Sequence, residues 1–207
     1  MSQETIKNKG QGKIFENDVL EFLTRTNPLV IYCIYFPVIG GMLYYGHVHQ
    51  SLGLGLEAIL FVAGILFWSL FEYFAHRFLF HLPANTPRAK RFVYIMHGIH
   101  HEYPRDKGRL FMPVIPSVTL ATLIFLLMRL LMGWNALAFF PGFLLGYISY
   151  GSMHYAIHAY APPTFMKALW RNHAMHHYET PDMGYGVSSV LWDHIFGTVP
   201  KLEKNKK

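Results

Sequence analysis

Charge is what this sequence has least of. Lys, Arg, Asp and Glu make up 14% of the 207 residues, while 52% are hydrophobic and 16% aromatic. That balance excludes an ordinary water-solvated surface and points to a chain that meets lipid. Acidic residues are the scarcer sign, 12 against 18 Lys and Arg, for a net charge of +6. The excess does not indicate nucleic acid. The basic residues sit in loops and tails beside apolar runs, where anionic lipid headgroups are the simpler partner. Cysteine is nearly absent: Cys33 stands alone, which excludes an intrachain disulfide and reads as a small apolar residue inside a helix. A signal peptide is not expected, because Glu4, Glu16, Asp18 and Glu21 all precede the first apolar run. The HExxH pattern of a zinc hydrolase is also missing.

What the chain does have is long apolar runs. Runs at 29–46, 52–80, 113–132 and 134–157 approach or exceed the roughly 20 residues that cross a hydrocarbon core. Only His47 to Ser51 separates the first two, and only Gly133 the last two, so the runs form two tight helical hairpins. Every Lys and Arg except Arg129 falls before the first run, from Arg77 at the end of the second run to Arg109, or after the last run, and both hairpin turns have none. The positive-inside rule then places both termini in the cytoplasm, with Arg129 snorkelling from its helix end. Residues 1–27 read as a cytoplasmic segment whose weakly amphipathic part, from Ile14 to Leu23, suits a helix lying on the membrane surface. Asn27-Pro28 opens a membrane-embedded domain, 28–207.

Histidine is the chemistry-bearing residue. HRFLFH (His76, His81) is followed by HGIHH (His97, His100, His101), then HYAIH (His154, His158) is followed by HAMHH (His173, His176, His177). Positions i, i+3 and i+4 share a helix face, so each triplet can aim three imidazoles at one place. His76 and His81, five apart, are about 140° apart around a regular helix and need a helix end or a bulge to converge. Neutral imidazole suits iron, zinc, copper and nickel. Ten imidazoles exceed one tetrahedral zinc site, and supply either about five ligands to each of two metals or one coordination shell with outer hydrogen-bond partners. The four clusters all fall at the cytoplasmic ends of the runs or in the basic segments beyond, although charge and hydropathy place those ends without using histidine.

The expected fold is therefore an all-α membrane protein, four transmembrane helices in two hairpins with a cytoplasmic histidine-rich helical cap holding a dimetal site. Glu72, one turn before His76, is positioned to accept a hydrogen bond from a ligand imidazole. Asp193 and His194 are further candidates to support the site, in a segment, 178–198, whose Pro181, Gly184 and Gly186 mark a turn. Glu57, His47 and His49 belong to the opposite surface, with no metal role expected.

The order HX4H, HX2HH, HX3H, HX2HH, opened by FEYFAHRFLFH and closed by GYGVSSVLWDHIFGT, resembles the fatty acid hydroxylase superfamily. Within it, RLFMPVIP and HHYETPDMGYG make the chain most similar to fatty acid 2-hydroxylases, over residues 66–198. The resemblance implies a membrane-embedded oxygenase of lipid, including sphingolipid, metabolism that hydroxylates an acyl chain at C2. The ten histidines would hold two metals, with no catalytic group beyond the ligands. Zinc has no redox chemistry, so iron is expected for activity even though zinc can occupy purified protein. O2 and electrons complete the reaction. Eukaryotic members carry a fused cytochrome b5 domain, for which the 27 residues before the first run leave no room. A separate donor of cytochrome b5 or ferredoxin type is therefore expected. Carotenoid hydroxylases, whose third pair is spaced HX4H, and sterol desaturases or oxidases, which more often begin with HX3H, are the rival enzymes. A metal-binding membrane transporter is the non-enzymatic rival, but transport sites lie near the bilayer midplane.

Overall fold

The protein is described here from a computed structural model covering residues 6–201. Glu4 and the basic residues Lys204, Lys206 and Lys207 lie outside the described residues. Among those described, all regular structure is helical. Three stretches are apolar and long enough to cross a membrane: Pro28–Gln50, Leu54–Phe80 and Lys107–Ala159. The third contains two long helices, so the four apolar runs of the sequence appear as four long helices.

Helix α1, Asp18–Leu23, is capped by the Asn17 side chain, which accepts from the N–H groups of Val19 and Leu20. Helix α2, Pro28–Gln50, starts as Asn27-Pro28 predicts, with the Asn27 side chain as cap and proline at the first position, and stops at Ser51 in the left-handed region, φ 52°. Helix α3, Leu54–Phe74, runs directly into a π-helical turn, Ala75–Phe80. Helix α4, Pro87–Val93, likewise enters a π-helical turn, Tyr94–Gly98, and continues as α5, Ile99–Glu102. Helices α6, Val114–Met132, and α7, Ala136–Ala159, are joined by the short 3-10 turn Gly133–Asn135, with Gly133 at φ 60°. Helices α8, Lys167–Tyr178, and α9, Leu191–Ile195, complete the chain.

The chain divides into two compact units. One comprises residues 13–69 and 107–155, and α7 is its core: Phe140, Phe143, Leu144 and Ile148 are each no more than 4% exposed. Small residues let α3 reach it. A Cβ on Gly64 would lie 2.1 Å from the Phe139 carbonyl oxygen, and one on Gly142 would lie 1.9 Å from that of Phe61. Gly146, four residues after Gly142, sits against Trp68. This small-xxx-small contact lets two backbones touch. A buried hydroxyl chain ties α2 to α6 and α7: Tyr35 Oη lies 2.7 Å from Ser117 Oγ, which is 3.1 Å from Tyr147 Oη. Arg129 does reach its helix end, where its guanidinium stacks 3.7 Å over the Trp134 ring. By contrast Leu130 and Leu131 of α6 are 81% and 74% exposed, as befits helices that face lipid.

In the same unit an ionic corner holds the N-terminal segment. The Glu21 carboxylate accepts the backbone N–H groups of Ile14 and Phe15 and pairs with Arg109 and Arg25. Ile14 is buried there, so the exposed apolar face is confined to α1, through Val19, Leu20, Phe22 and Leu23. Burial pushes the Glu21 carboxyl up, but those two N–H groups and the two guanidiniums outweigh it and hold it below its ordinary value of 4.5. The corner's contribution to stability is then complete above pH 4.5 and is lost as pH falls through the lower folded value. Limited proteolysis between residues 14 and 25 should accordingly stay slow down to pH 4.5 and accelerate below it. In Arg109→Met the acceleration should set in at higher pH.

The other unit comprises residues up to 12, 70–106 and 156 onwards. It contains α4, α5, α8, α9 and both π-turns. Lys7 donates to Glu102 Oε1 at 2.6 Å and Gly12 N to Asp106 Oδ2 at 3.2 Å, pinning the N-terminal strip to the end of α5.

Candidate metal centre

The second unit gathers nine of the sequence-predicted histidines. His76, His81, His97, His101 and His176 form a first group, each offering a ring nitrogen within 4.8 Å of the others. His100, His158, His173 and His177 do the same in a second group. The tenth, His154, belongs to the α7 part of the other unit, one helical turn before His158 on the same face, and its Nδ1 donates to the Leu110 carbonyl. The two groups abut: the rings of His101 and His177, one from each, stack with centroids 4.2 Å apart.

Local structure explains the convergence. In the π-turn at 75–80 the His81 N–H bonds to the His76 carbonyl at 3.2 Å, five residues back. That i→i+5 turn brings side chains five apart together, and supplies the bulge that HX4H requires. The triplets behave differently from their expected aim at one place. His97 and His101 go to the first group and His100 to the second, while His173 and His177 go to the second and His176 to the first. Residues four apart share a face, but neighbours such as His100 and His101 point about 100° apart on a helix. Each triplet therefore spans both groups.

Outer hydrogen bonds settle which ring nitrogen carries the lone pair. His76 Nδ1 donates to the Tyr185 carbonyl at 2.6 Å and His176 Nδ1 to the Met183 carbonyl at 2.8 Å. A carbonyl only accepts, so in each ring the lone pair is on Nε2. Those Nε2 atoms face others: His76 to His97 at 3.0 Å and His176 to His101 at 3.1 Å. In the second group the Nε2 atoms of His100 and His177 are 3.0 Å apart, and those of His158 and His173 2.9 Å apart. Two nitrogens bound at about 2.1 Å to one ion, at right angles, are themselves about 3.0 Å apart, so this spacing fits a shared metal. Both ring nitrogens of His81 are buried with no hydrogen-bond partner among the described residues. Such orphans call for an ion or another ligand. The donor sets therefore fit metal ions.

Electrostatics favour the ligand form. Burial, reinforced by neighbouring imidazoles, holds His97 and His177 well below the ordinary histidine value. Burial also pushes His81 down to about 4, with Asp182 opposing it. All three are neutral at pH 7, as metal binding requires.

The loop that carries the carbonyls at 183 and 185 is held by two buried carboxylates, Glu72 of α3 and Asp193 of α9. Asp193, fully buried, accepts Tyr185 N and Gly186 N at 2.9 Å each, Thr198 Oγ1 at 2.8 Å and Asn172 Nδ2 at 3.1 Å. Glu72 accepts Val187 N at 2.8 Å, Ser188 N at 2.9 Å and the Ser188 hydroxyl. Both candidates thus brace the loop that orients His76 and His176. In particular, His76 Nδ1 is held by the Tyr185 carbonyl where Glu72 was the expected acceptor. His194 is exposed on α9 and belongs to neither group. Adjacent residues on a helix face different ways, and Asp193 occupies the inward position. Glu57 and His47 pair at 3.5 Å in the first unit and belong to neither histidine group.

Sequence reasoning missed Asn172, Thr198 and the carbonyls of Met183 and Tyr185. A backbone acceptor has no side-chain signature. The glycines of MGYG were the available signal: Gly184 is at φ 73°, and a Cβ on Gly186 would lie 2.0 Å from the Ser189 carbonyl oxygen.

The family model described as fatty acid hydroxylase matches residues 61–198. The dihydroceramide fatty acyl 2-hydroxylase FAH2 of Arabidopsis thaliana is 41% identical over 200 residues, which is 94% of this chain and 83% of that protein. The ceramide very long chain fatty acid hydroxylase SCS7 of Saccharomyces cerevisiae is 37% identical over 92% of this chain, and the match spans half of that longer protein. A solved structure described as full length scs7p, with only the hydroxylase domain visible, superposes with a TM-score of 0.86 at 35% identity, covering 94% of this chain and 74% of that one. The chain belongs to the fatty acid hydroxylase family.

Proposed function

We propose that the protein is an O2-dependent oxidoreductase that hydroxylates fatty acyl chains at C2. The observation that carries the reading is the pair of adjoining, buried histidine groups in a chain matched over nearly its whole length by 2-hydroxylases. In the balanced reaction one C2–H bond becomes C–OH. One oxygen atom of O2 enters the product and the other leaves as water, with two electrons and two protons supplied. A ceramide-type or other lipid-linked acyl group is the substrate class suggested by the relatives' names.

His76, His81, His97, His101 and His176 would hold one metal ion. His100, His158, His173 and His177 would hold the other, with His154 as its fifth ligand. A pair of irons, when bound, supplies the redox chemistry for O2 activation, which zinc lacks. The chain contributes position: the Tyr185 and Met183 carbonyls fix two ligand rings, Asp193 and Glu72 fix the loop that carries those carbonyls, and burial keeps bulk water from the reacting carbon. No side chain beyond the ligands is assigned a catalytic part.

In this reading four helices, α2, α3, α6 and α7, cross the bilayer as two hairpins. The charge distribution puts both termini and the histidine cap on the cytoplasmic side. Residues 1–27 form a cytoplasmic segment whose helix α1, Asp18–Leu23, suits the membrane surface, and 28–207 form the embedded domain. Electrons come from a separate carrier of cytochrome b5 or ferredoxin type, for which the basic segments at 77–109 and 167–201 offer an acid-complementary dock.

Expression in a host without 2-hydroxy fatty acids, followed by mass spectrometry of hydrolysed lipids, is the test. Wild type should add 2-hydroxy acyl chains, and His176→Ala, at equal membrane level, should add none. Loss of the ligand whose Nε2 faces His101 at 3.1 Å should lower turnover at least a hundredfold. Iron-loaded wild type that forms no 2-hydroxy product with a supplied donor would defeat the proposal.

A further inference from the structure

The end of α1, the segment at Lys107-Gly108 and the first turns of α2 and α6 enclose a cleft of about 560 Å³ that no histidine lines among the described residues. Its apolar wall includes Phe22, Val30 and Ile115, which are 74%, 43% and 58% exposed. Arg25 and Lys107 are its charged residues, and no carboxylate lines it among the described residues. Glu21, one residue before Phe22, is buried and engaged with Arg109, with two backbone N–H groups and, at 3.5 Å, with Arg25, so the cleft keeps a net positive charge through Lys107 and the two arginines. Glu16 and Asp18 face Lys13.

The walls are fixed to each other. Thr26 N donates to the Gly108 carbonyl at 2.9 Å, Thr26 Oγ1 to that of Met112 at 3.3 Å, and Arg109 Nη1 to Thr24 Oγ1 at 3.0 Å. A rigid cleft with exposed aromatic and aliphatic side chains on one wall and two cations beside them matches an amphiphile that has an apolar tail and an anionic head. The site opens where two long apolar helices begin, which is the depth of a lipid headgroup for a membrane-embedded chain. Partial positive charge from those helix starts adds to that of the side chains.

We propose that this cleft binds one anionic phospholipid of the surrounding bilayer, with its phosphate between Arg25 and Lys107 and one acyl chain along Phe22, Val30 and Ile115. The site is separate from the reaction: the lipid anchors the N-terminal corner and is not turned over.

Native mass spectrometry of the full chain in detergent tests this, with phosphatidylglycerol and phosphatidylcholine of identical acyl chains in competition. Wild type should retain one phosphatidylglycerol in preference by at least about fivefold. The double variant Arg25→Gln, Lys107→Gln should lose the preference, and Arg25→Lys, Lys107→Arg should keep it, all with unchanged metal content. Lys107→Gln alone alters an exposed residue and should lower the preference with the fold intact. Equal retention of the two lipids by wild type would overturn the proposal, as would wild-type preference in both Gln variants. Displacement of phosphatidylglycerol by excess inorganic phosphate would also overturn it, by reducing the cleft to a simple anion site. Resistance to that displacement supports a lipid.

Discussion

Asp193→Asn should lower 2-hydroxylated product about 10- to 100-fold, the usual cost of removing a partner that orients metal ligands. The change is nearly isosteric, so its effect isolates charge and acceptor capacity. The Asp193 carboxylate receives four donors, from Tyr185, Gly186, Asn172 and Thr198. An asparagine presents one oxygen and an NH2 group that opposes the donors around it, leaving buried N–H groups unmatched. The loop then loses its hold, and with it the aim of the Tyr185 and Met183 carbonyls at His76 and His176. Both histidines are in the first group. Metal analysis should therefore show preferential loss from that group, a drop of about one ion per chain, while the second group keeps its ion. Loss of both ions together, or of neither, would show that Asp193 does not position the first group.

Gly142→Leu should remove most folded protein from the membrane, because the added side chain has nowhere to go. Its Cβ would lie 1.9 Å from the Phe61 carbonyl oxygen, and backbone cannot swing aside as a side chain can. Moving α3 off α7 would also open the contacts at Gly64 and Gly146. Overpacking of this kind costs about 3 kcal/mol or more. Thermal unfolding in detergent should show a sharply lowered midpoint or no cooperative transition. Gly40→Ala, where an added Cβ meets nothing within 4 Å, should behave like wild type.

How much of this was legible before the structure depends on where the information resides. Ligand chemistry resides in side-chain identity, so the ten histidines stood out as candidates through type and spacing. Their partition did not, because it depends on the rotation between neighbours such as His176 and His177 and on which helix each one meets. The inward turn of Asp193 and the outward turn of His194 were equally invisible, since both residues sit in a segment without periodicity. The long helices were plain from hydropathy. The α3–α7 contact had a signature in GFLLG at 142–146 that went unread, because a glycine pair signals close approach only once its partner helix is known. The loop carbonyls had only an indirect one, the turn glycines at 184 and 186.

The π-turn at 75–80 also bears on how such sequences are sorted. One extra residue within a turn is an insertion that the helix absorbs locally, so an HX4H pair on a π-turn and an HX3H pair on a plain α-helix present two imidazoles in much the same way. A single-codon insertion or deletion between the two histidines, accompanied by a change of turn type, would leave the metal-facing pair in place. The count of residues in that first box then records the history of one helical turn more than the molecule being oxidised. Discrimination among acyl chains, sterols and carotenoids must be sought in the surfaces that hold the substrate.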